Sequence, residues 1–258
     1  MQIFDTHAHY NTDMFDGDRE EVLSSLPSCG VVGVVNVGAS LEDVRASQAL
    51  SEEYPFMYAG AGIHPDDVGC MSEAVMDELR EYCRREKTVC VGEIGLDYYW
   101  DREPRDVQKE WFVRQMHLAI EEDLPINVHS RDAAQDTFDL IRAEHAGTTG
   151  GIIHCYSGSA EMAKEYIKMG YYLGIGGVVT FKNAKTLKRV VAETPIERLV
   201  TETDCPYLAP TPHRGDRNFS GYLPLVAQRI AEIKKITPEE VAEATWRNAH
   251  RLYKISET

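Results

Sequence analysis

The chain has 258 residues, of which 43% are hydrophobic and 27% charged, so its length allows one large domain or two small ones with a sizeable core. The net charge of −15 disfavours broad electrostatic binding to the backbone of duplex nucleic acid, although it leaves room for a phosphate held locally by metal ions and a few arginines. We see no export signal, no apolar run long enough for a bilayer and no Cys-x-x-Cys pair, and therefore expect a cytoplasmic protein with buried free thiols and no membrane partner.

Short β-rich runs alternate with amphipathic stretches along the chain. Strands are predicted near residues 2–5, 31–37, 57–62, 88–92, 125–128, 150–153, 171–175 and 198–201. Helices are predicted near residues 18–27, 42–53, 73–86, 105–122, 133–145, 160–169, 183–193, 222–235 and 238–252. This alternation predicts an α/β fold, a (β/α)8 TIM barrel that forms a single domain over residues 1–258. A doubly wound open sheet is the alternative, and the count of eight strands favours the barrel.

Metal-binding residue types follow the predicted strands, at the rim where barrel enzymes hold their catalytic residues. The first strand runs into His7 and His9, whose side chains point to the same face of a regular strand. Such a pair taken alone is equally consistent with two hydrogen-bonded histidines. The later strand ends carry His64, Glu93, His129, His154 and Asp204. Because the same chemistry recurs at so many strand ends, a metal centre becomes the better interpretation.

The predicted metal set has four imidazoles and two carboxylates: His7, His9, His129, His154, Glu93 and Asp204. Six ligands are too many for one catalytic ion, which needs open positions, but they suit two ions that share a carboxylate. Glu93 is predicted to be the bridge, with His7, His9 and Asp204 at one ion and His129 and His154 at the other. Nitrogen and oxygen ligands permit zinc, manganese, nickel or iron, and tolerate magnesium.

Two of these carboxylates are assigned catalytic roles. Two neighbouring ions stabilise the attacking and leaving oxygens of a hydrolysis and activate a water molecule. Asp204 is predicted to accept the proton of that water as the general base, and Glu93 is predicted to hold the ions together. Glu202 is interpreted as a supporting or simply buried and paired group.

Further residues are candidates for substrate contact. His64 is predicted to touch the substrate or orient a ligand, although a structural loop histidine is the alternative. Arg131, Arg214 and Arg217 are candidate phosphate contacts, and for each a salt bridge or a solvated loop charge is the competing interpretation. The aromatic run at residues 98–100 is a candidate for stacking on an unpaired base, or else packs a long loop.

Six segments together resemble the TatD-type deoxyribonucleases, a family of the metal-dependent hydrolase superfamily, and the likeness extends over essentially the whole chain. They are residues 4–9 (FDTHAH), 92–98 (GEIGLDY), 125–133 (PINVHSRDA), 154–159 (HCYSGS), 195–208 and 214–218 (RGDRN). The resemblance implies a (β/α)8 barrel, two divalent cations and phosphodiester hydrolysis. It also implies metal roles for the six residues of the predicted set, all of which are present. Departures from the family pattern are Tyr10, Gln135 and the pair Phe219-Ser220.

The predicted function is therefore that of a divalent-metal-dependent deoxyribonuclease. The resemblance implies a 3′-to-5′ exonuclease on single-stranded or frayed DNA ends, with RNA as a further substrate of some members and Mg²⁺ as the working ion. Mn²⁺, Zn²⁺ and Ni²⁺ are the other metals considered, and we expect a monomer. One alternative is an amidohydrolase-like enzyme that cleaves an ester or C–N bond in a small molecule. A non-catalytic metal-binding protein is a third possibility, which the complete ligand set disfavours.

Overall fold

The computed structural model describes residues 1–145 and 147–256, which form eight strands and nine α-helices joined by loops and short 3₁₀ helices. The strands are β1 (Ile3–Ala8), β2 (Val31–Val37), β3 (Met57–Gly60), β4 (Thr88–Asp97), β5 (Ile126–Arg131), β6 (Gly151–Ile153), β7 (Tyr172–Ile175) and β8 (Leu199–Thr201). The helices are α1 (Arg19–Ser25), α2 (Leu41–Glu53), α3 (Glu73–Cys83), α4 (Arg105–Glu121), α5 (Ala134–Glu144), α6 (Ala160–Lys168), α7 (Lys185–Glu193), α8 (Leu223–Lys234) and α9 (Pro238–Tyr253).

All the predicted strands and helices are present, and the strands follow one another in a single sheet in chain order. This order, with helices between successive strands, is that of the predicted (β/α)8 barrel. Among the described residues no helix combines the length and apolar character that a bilayer crossing requires.

Three strands run further than their sequences predict. β1 ends at Ala8, β4 at Asp97 and β5 at Arg131. The predicted β4 ends near residue 92, and the segment that follows contains Glu, Gly and Asp, which are uncommon in strands. Parallel pairing with β5 nevertheless continues to Asp97, which lies opposite Arg131. Glu93 and His129 consequently lie inside strands rather than after them.

By backbone packing the chain forms two compact units. Unit 1 contains residues 1–36, 155–167 and the chain from residue 172 onward, and unit 2 contains residues 37–154 and 168–171. The prediction of one domain over residues 1–258 stays a prediction.

The core of unit 1 is built around β1, all six residues of which are buried. Phe4 packs its ring against His250 and Tyr253 of α9, with ring centroids 5.4 and 6.0 Å away. On the neighbouring strand β2, Gly33 leaves the space that this ring needs, because a Cβ there would lie 2.3 Å from the Phe4 ring. β1 is thereby held against both β2 and α9.

Unit 2 centres on β4, all ten residues of which are buried. It pairs in parallel with β3 on one side and β5 on the other, and β5 pairs with β6. Two fully buried glutamines on α4 bind backbone groups at the ends of strands. Gln108 binds both the N–H and the C=O of Asp97, and Gln115 does the same for Ile63, at distances of 2.8–3.1 Å. The packing helix therefore positions the segments that carry His64 and Asp97.

The cysteines correct one expectation. Cys83, Cys90 and Cys205 are buried free thiols, as the sequence indicates, but Cys70 is exposed and Cys29 and Cys155 are half-buried. Cys70 ends a short 3₁₀ helix rather than lying in an apolar strand, which explains its exposure.

Candidate metal centre

Unit 1 contains a three-residue group that we call the β1 cluster, made of His7, His9 and Asp204. The Nε2 atoms of the two histidines are 3.0 Å apart. Asp204 Oδ1 lies 3.7 Å from His7 Nε2 and 3.5 Å from His9 Nε2. Around one ion with bonds of about 2.0–2.2 Å, neighbouring ligand atoms are separated by about 3 to 3.6 Å. The spacing of these three atoms therefore fits ligands of one divalent cation.

Backbone hydrogen bonds bring Asp204 to the histidine pair. The Asp204 N–H donates to His7 O at 2.9 Å, and the His9 N–H donates to Cys205 O at 2.8 Å. Asp204 adopts a left-handed conformation, with φ of 56°, which aspartate tolerates better than most residues. The pairing of β1 with β2 also shifts register between Asp5 and Ala8, so a bulge re-aims the backbone beside His7.

A buried carboxylate, Asp5, supports this cluster. It accepts hydrogen bonds from the hydroxyls of Thr203 and Ser220, both at 2.6 Å, and from the backbone N–H groups of Thr203 and His7 at 3.0 and 3.2 Å. Burial raises the pKa of Asp5 to about 7, although these four donors act in the opposite direction. Asp5 thus joins β1 to the loop that follows β8.

Two departures from the family pattern meet in this network. Tyr10 OH and Ser220 Oγ are 2.7 Å apart, and the Ser220 N–H donates to the Tyr10 hydroxyl at 2.8 Å. Because Ser220 donates its own proton to Asp5, Tyr10 is the donor between the two hydroxyls. The residues that differ from the family are therefore hydrogen-bonded to each other in the interior.

Unit 2 contains a second group, the Glu93 cluster, made of Glu93, His64, His129 and His154. A single carboxylate oxygen, Glu93 Oε1, faces an imidazole nitrogen of each histidine. The distances are 2.8 Å to His129 Nδ1, 3.5 Å to His154 Nε2 and 3.9 Å to His64 Nε2. The side chain of Glu93 is only 6% exposed. Three nitrogen donors around one buried carboxylate oxygen fit the chemistry of a second divalent cation.

A bulge aims Glu93 into this group. Val91 lies opposite Ile126 and Ile94 opposite Val128, so three residues of β4 span two of β5. The extra residue lies at Gly92–Glu93, and bulges of this kind commonly redirect a side chain beside an active site. Further along, Gly95 has φ of 152° and a Cβ there would meet His129 O at 1.9 Å, so only glycine allows this approach of the two strands.

Asp97 belongs to this arrangement but is absent from the predicted set. Its Oδ2 lies 3.0 Å from His129 Nε2, while Glu93 occupies the other ring nitrogen. Burial opposes protonation of His129, but the hydrogen bonds to Asp97 and Glu93 outweigh it and raise the pKa of His129 to about 9. Burial likewise raises the pKa of Asp97, and the bonds from His129 and from two backbone N–H groups outweigh it to leave a pKa of about 2. In the sequence, the signal that could have identified Asp97 is its position a few residues after Glu93, at the end of the same strand.

The other candidate residues lie in different surroundings. His64 lies in the Glu93 cluster, where its Nδ1 also accepts the Asp66 N–H at 3.1 Å. Arg217 forms a bidentate salt bridge with Asp18 and donates a hydrogen bond to Met14 O. These contacts link the loop after β8 to the chain near residue 14. The Arg214 guanidinium lies 4.1 Å from the centre of the Phe181 ring.

Arg131 and Glu202 complete the predicted residues. Arg131 is exposed and stacks on Tyr99, with its guanidinium 3.9 Å from the ring centre. Glu202 is fully buried and accepts the Cys155 N–H at 2.6 Å. A Cβ at Gly174 would lie 2.2 Å from Glu202 Oε2, so this glycine makes room for the carboxylate. Each unit thus brings together one group of metal-type donors, while the assigned metal roles and the bridging role of Glu93 stay predictions.

Comparisons with known proteins identify the family and the fold. A family model described as TatD related DNase matches residues 4–254. A Bacillus subtilis protein named uncharacterized metal-dependent hydrolase YabD is 47% identical, over 98% of this chain and 100% of its own length. A Mycobacterium tuberculosis protein named uncharacterized metal-dependent hydrolase TatD is 36% identical, over 97% of each chain.

Solved structures show the same fold. The crystal structure of YjjV, a TatD homologue from Escherichia coli, superposes with a TM-score of 0.92 at 29% identity and covers 98% of both chains. A TatD-family hydrolase from Entamoeba histolytica has a TM-score of 0.85 at 23% identity, covering 99% of both chains. The fold class, a (β/α)8 barrel, is therefore confirmed, and the protein is a metal-dependent hydrolase. The chain belongs to the TatD-related DNase family.

Proposed function

We propose that this hydrolase is a divalent-metal-dependent deoxyribonuclease that removes nucleotides from the ends of single-stranded or frayed DNA, acting from 3′ to 5′. The observation that carries the proposal is the pair of donor clusters, one in each unit, on a chain of the TatD-related DNase family. Two divalent cations suit phosphodiester hydrolysis because they can stabilise both the attacking and the leaving oxygen.

The β1 cluster is assigned the role of binding one ion and moving a proton. His7 and His9 would hold the metal through their Nε2 atoms, and Asp204 would contribute a carboxylate oxygen. Divalent ions supply positive charge at the phosphate and lower the pKa of water. Asp204, with 17% of its side chain exposed, accepts the proton of the attacking water at its carboxylate.

The Glu93 cluster is assigned the second ion. Glu93 is the carboxylate ligand, and we keep for it the bridging role that the sequence predicts. His129 and His154 would be the imidazole ligands of this ion, and Asp97 orients the His129 ring through its hydrogen bond to Nε2. His64 faces the same carboxylate oxygen and either orients it or contacts the substrate.

Two arginines are proposed to hold phosphate groups outside the metal ions. Arg131 and Arg214 are both exposed, and each lies over an aromatic ring rather than in a salt bridge that joins it to a carboxylate of the described chain. Arg217 is assigned to the loop instead, since Asp18 already occupies its guanidinium. Local charge of this kind is needed because the whole chain carries −15.

The test is incubation of the purified protein with end-labelled single-stranded and duplex DNA. We expect a ladder that shortens from the 3′ end of the single strand, abolished by EDTA and restored by Mg²⁺ or Mn²⁺. The same strand labelled at its other end fixes the direction. Inert DNA together with cleavage of small esters or amides would establish the amidohydrolase-like alternative, and an RNA strand of the same sequence measures the preference for sugar.

A further inference from the structure

We propose that Tyr99, Trp100 and Arg131 form a stacking platform that receives an unpaired base at the end of a single strand, an inference that rests on the proposed nuclease function. The three residues belong to unit 2, at the carboxyl ends of β4 and β5. Neither Tyr99 nor Trp100 belongs to the β1 cluster or the Glu93 cluster.

The two rings are presented to solvent rather than used in the core. Tyr99 and Trp100 are each 54% exposed, and they pack edge to face with ring centroids 5.0 Å apart. Two adjacent exposed rings form a contiguous apolar surface, and such surfaces commonly mark binding sites. The loop-packing interpretation of these side chains predicts burial, which is not observed.

A cation lies on the same platform. The Arg131 guanidinium is 3.9 Å from the centre of the Tyr99 ring and 5.6 Å from that of Trp100. Arg102 lies 5.7 Å from the Trp100 ring. In the described part of the chain no salt bridge joins Arg131 to a carboxylate, so its charge is available to a ligand. Flat rings beside a guanidinium are the combination that binds single strands, because the rings stack on bases and the cation attracts the phosphate.

The platform is built onto the Glu93 cluster by one carboxylate. Asp97 Oδ1 accepts the backbone N–H groups of Tyr99 and Trp100 at 2.8 and 2.9 Å, while its Oδ2 contacts His129 Nε2 at 3.0 Å. The Tyr98 N–H also donates to Arg131 O at 2.9 Å. The backbone that carries the two rings is therefore hydrogen-bonded to the carboxylate that contacts His129, which places a nucleotide subsite beside a proposed metal ligand.

A single strand fits this surface better than a duplex. In a duplex the bases stack on one another and offer no face to a protein ring, whereas an unpaired terminal base does. A long duplex would also bring many phosphates against a chain with a net charge of −15. The platform thus accounts for how an acidic nuclease selects unpaired ends.

The experiment compares two matched oligonucleotides with the metal-loaded full-length protein. One carries normal bases at its 3′ end, and the other has abasic sugars there but the same phosphates. Trp100→Ala is expected to lower kcat/KM on the normal strand roughly 5- to 100-fold, mainly through KM, and to change the abasic strand less than about twofold. Arg131→Gln is expected to weaken both strands alike, since it removes charge near the phosphate.

Trp111→Ala is the matched control. Trp111 lies under Arg114 at 4.5 Å on α4 of the same unit, but Arg114 is already bound to Glu73. We expect this variant to behave as wild type on both strands. Equal losses for Trp100→Ala on the normal and the abasic strand, or no loss on either, would overturn the platform while leaving the nuclease proposal intact.

Failure of the nuclease proposal is recognised separately. If the wild-type protein cleaves neither strand with any of the metals tested, the proposed function is wrong, and the platform is then judged by binding. Fluorescence anisotropy of the labelled strands must show preference for the normal strand that Trp100→Ala abolishes, and equal binding of the two strands rejects the platform.

Discussion

The β1 cluster and the Glu93 cluster each bring metal-type donor atoms together, but by different structural means. In the β1 cluster His7 lies in β1 and His9 directly after it, and a third residue is brought to them by backbone hydrogen bonds from the loop after β8. In the Glu93 cluster the centre is a carboxylate oxygen, and three histidines from different parts of the chain face it.

The supporting carboxylates differ as well. Asp5 is surrounded by four neutral donors and has a pKa raised to about 7, because burial dominates. Asp97 contacts the His129 ring and has a pKa lowered to about 2, because hydrogen bonds dominate. Asp5 binds only backbone N–H and hydroxyl groups, whereas Asp97 binds backbone N–H groups and also the His129 ring. The β1 cluster therefore depends on loop placement, and the Glu93 cluster depends on a single oxygen.

The largest expected effect follows from that single oxygen. Glu93→Gln is expected to lower hydrolysis by about 10⁴-fold or more and to reduce the metal content from two ions to one or fewer, since three imidazoles lose their common acidic partner. Elemental analysis of the dialysed protein and initial rates measure the two effects. His9→Asn is the corresponding substitution of a proposed ligand in the β1 cluster. A Glu93→Gln protein that keeps two ions would contradict the assignment of this residue as a ligand.

Asp204→Asn tests the other cluster. We expect the fold and the ion of the Glu93 cluster to persist while hydrolysis falls about 10²- to 10⁴-fold, because the amide cannot accept the proton of the attacking water. The pH dependence of kcat should lose its acidic limb. Asp216→Asn, which changes an exposed acid in the same loop, is the control and should retain wild-type rates. Unchanged turnover of Asp204→Asn rejects the base assignment.

A pair of variants sharpens the difference between the supporting carboxylates. Asp97→Asn is expected to weaken the ion of the Glu93 cluster about 10- to 100-fold, because His129 loses its orienting partner. Asp5→Asn should instead weaken the ion of the β1 cluster and lower thermal stability, since the amide repels one of the donors that Asp5 accepts. Metal titration by calorimetry separates the two. Weakening of the same ion by both variants would remove the distinction.

The smallest expected effect concerns acid stability. Burial, with a contribution from His117, lowers the pKa of His145 from 6.5 to about 4. Between these values the unfolded chain binds a proton at His145 and the folded chain does not, so stability that is present above pH 6.5 is lost as the pH falls toward 4. His145→Gln should reduce this loss by roughly 1–3 kcal/mol.

Urea unfolding at pH 7 and at pH 4.5 gives the change in the free energy of unfolding with pH. This slope, rather than the absolute free energy of unfolding, is compared between His145→Gln and the wild type. The reason is that His145 also binds Tyr171 OH and Thr149 Oγ1. A slope equal to that of wild type would show that His145 does not titrate in this range.

Sequence patterns predicted the elements closely, because hydrophobic period and turn residues act locally. They also predicted the residues of both clusters, since His, Glu and Asp at strand ends are conspicuous in a chain of strand–helix units. The spacing of His7 and His9 places them together, whereas Glu93, His129 and His154 are grouped because metal-type residues recur at the ends of later strands, and the family resemblance implies the same set.

The remaining features could not be predicted, for physical reasons that are specific to each. The predicted β4 ends before Asp97, because only pairing with β5 extends that strand through residues of low strand propensity. The bond of Arg217 to Asp18 joins residues 199 positions apart, which no local pattern indicates. The exposure of Tyr99 and Trp100 depends on the turn that Asp97 holds.

By itself the sequence determined the order of strands and helices, the chemical type of the metal donors and the family. Tertiary structure alone decided which oxygen faces which imidazole, because the bulges at the two clusters, beside Asp5 in β1 and at Glu93 in β4, exist only in register with a neighbouring strand. It also decided which charges remain available to a ligand, since partners such as Asp18 come from distant parts of the chain.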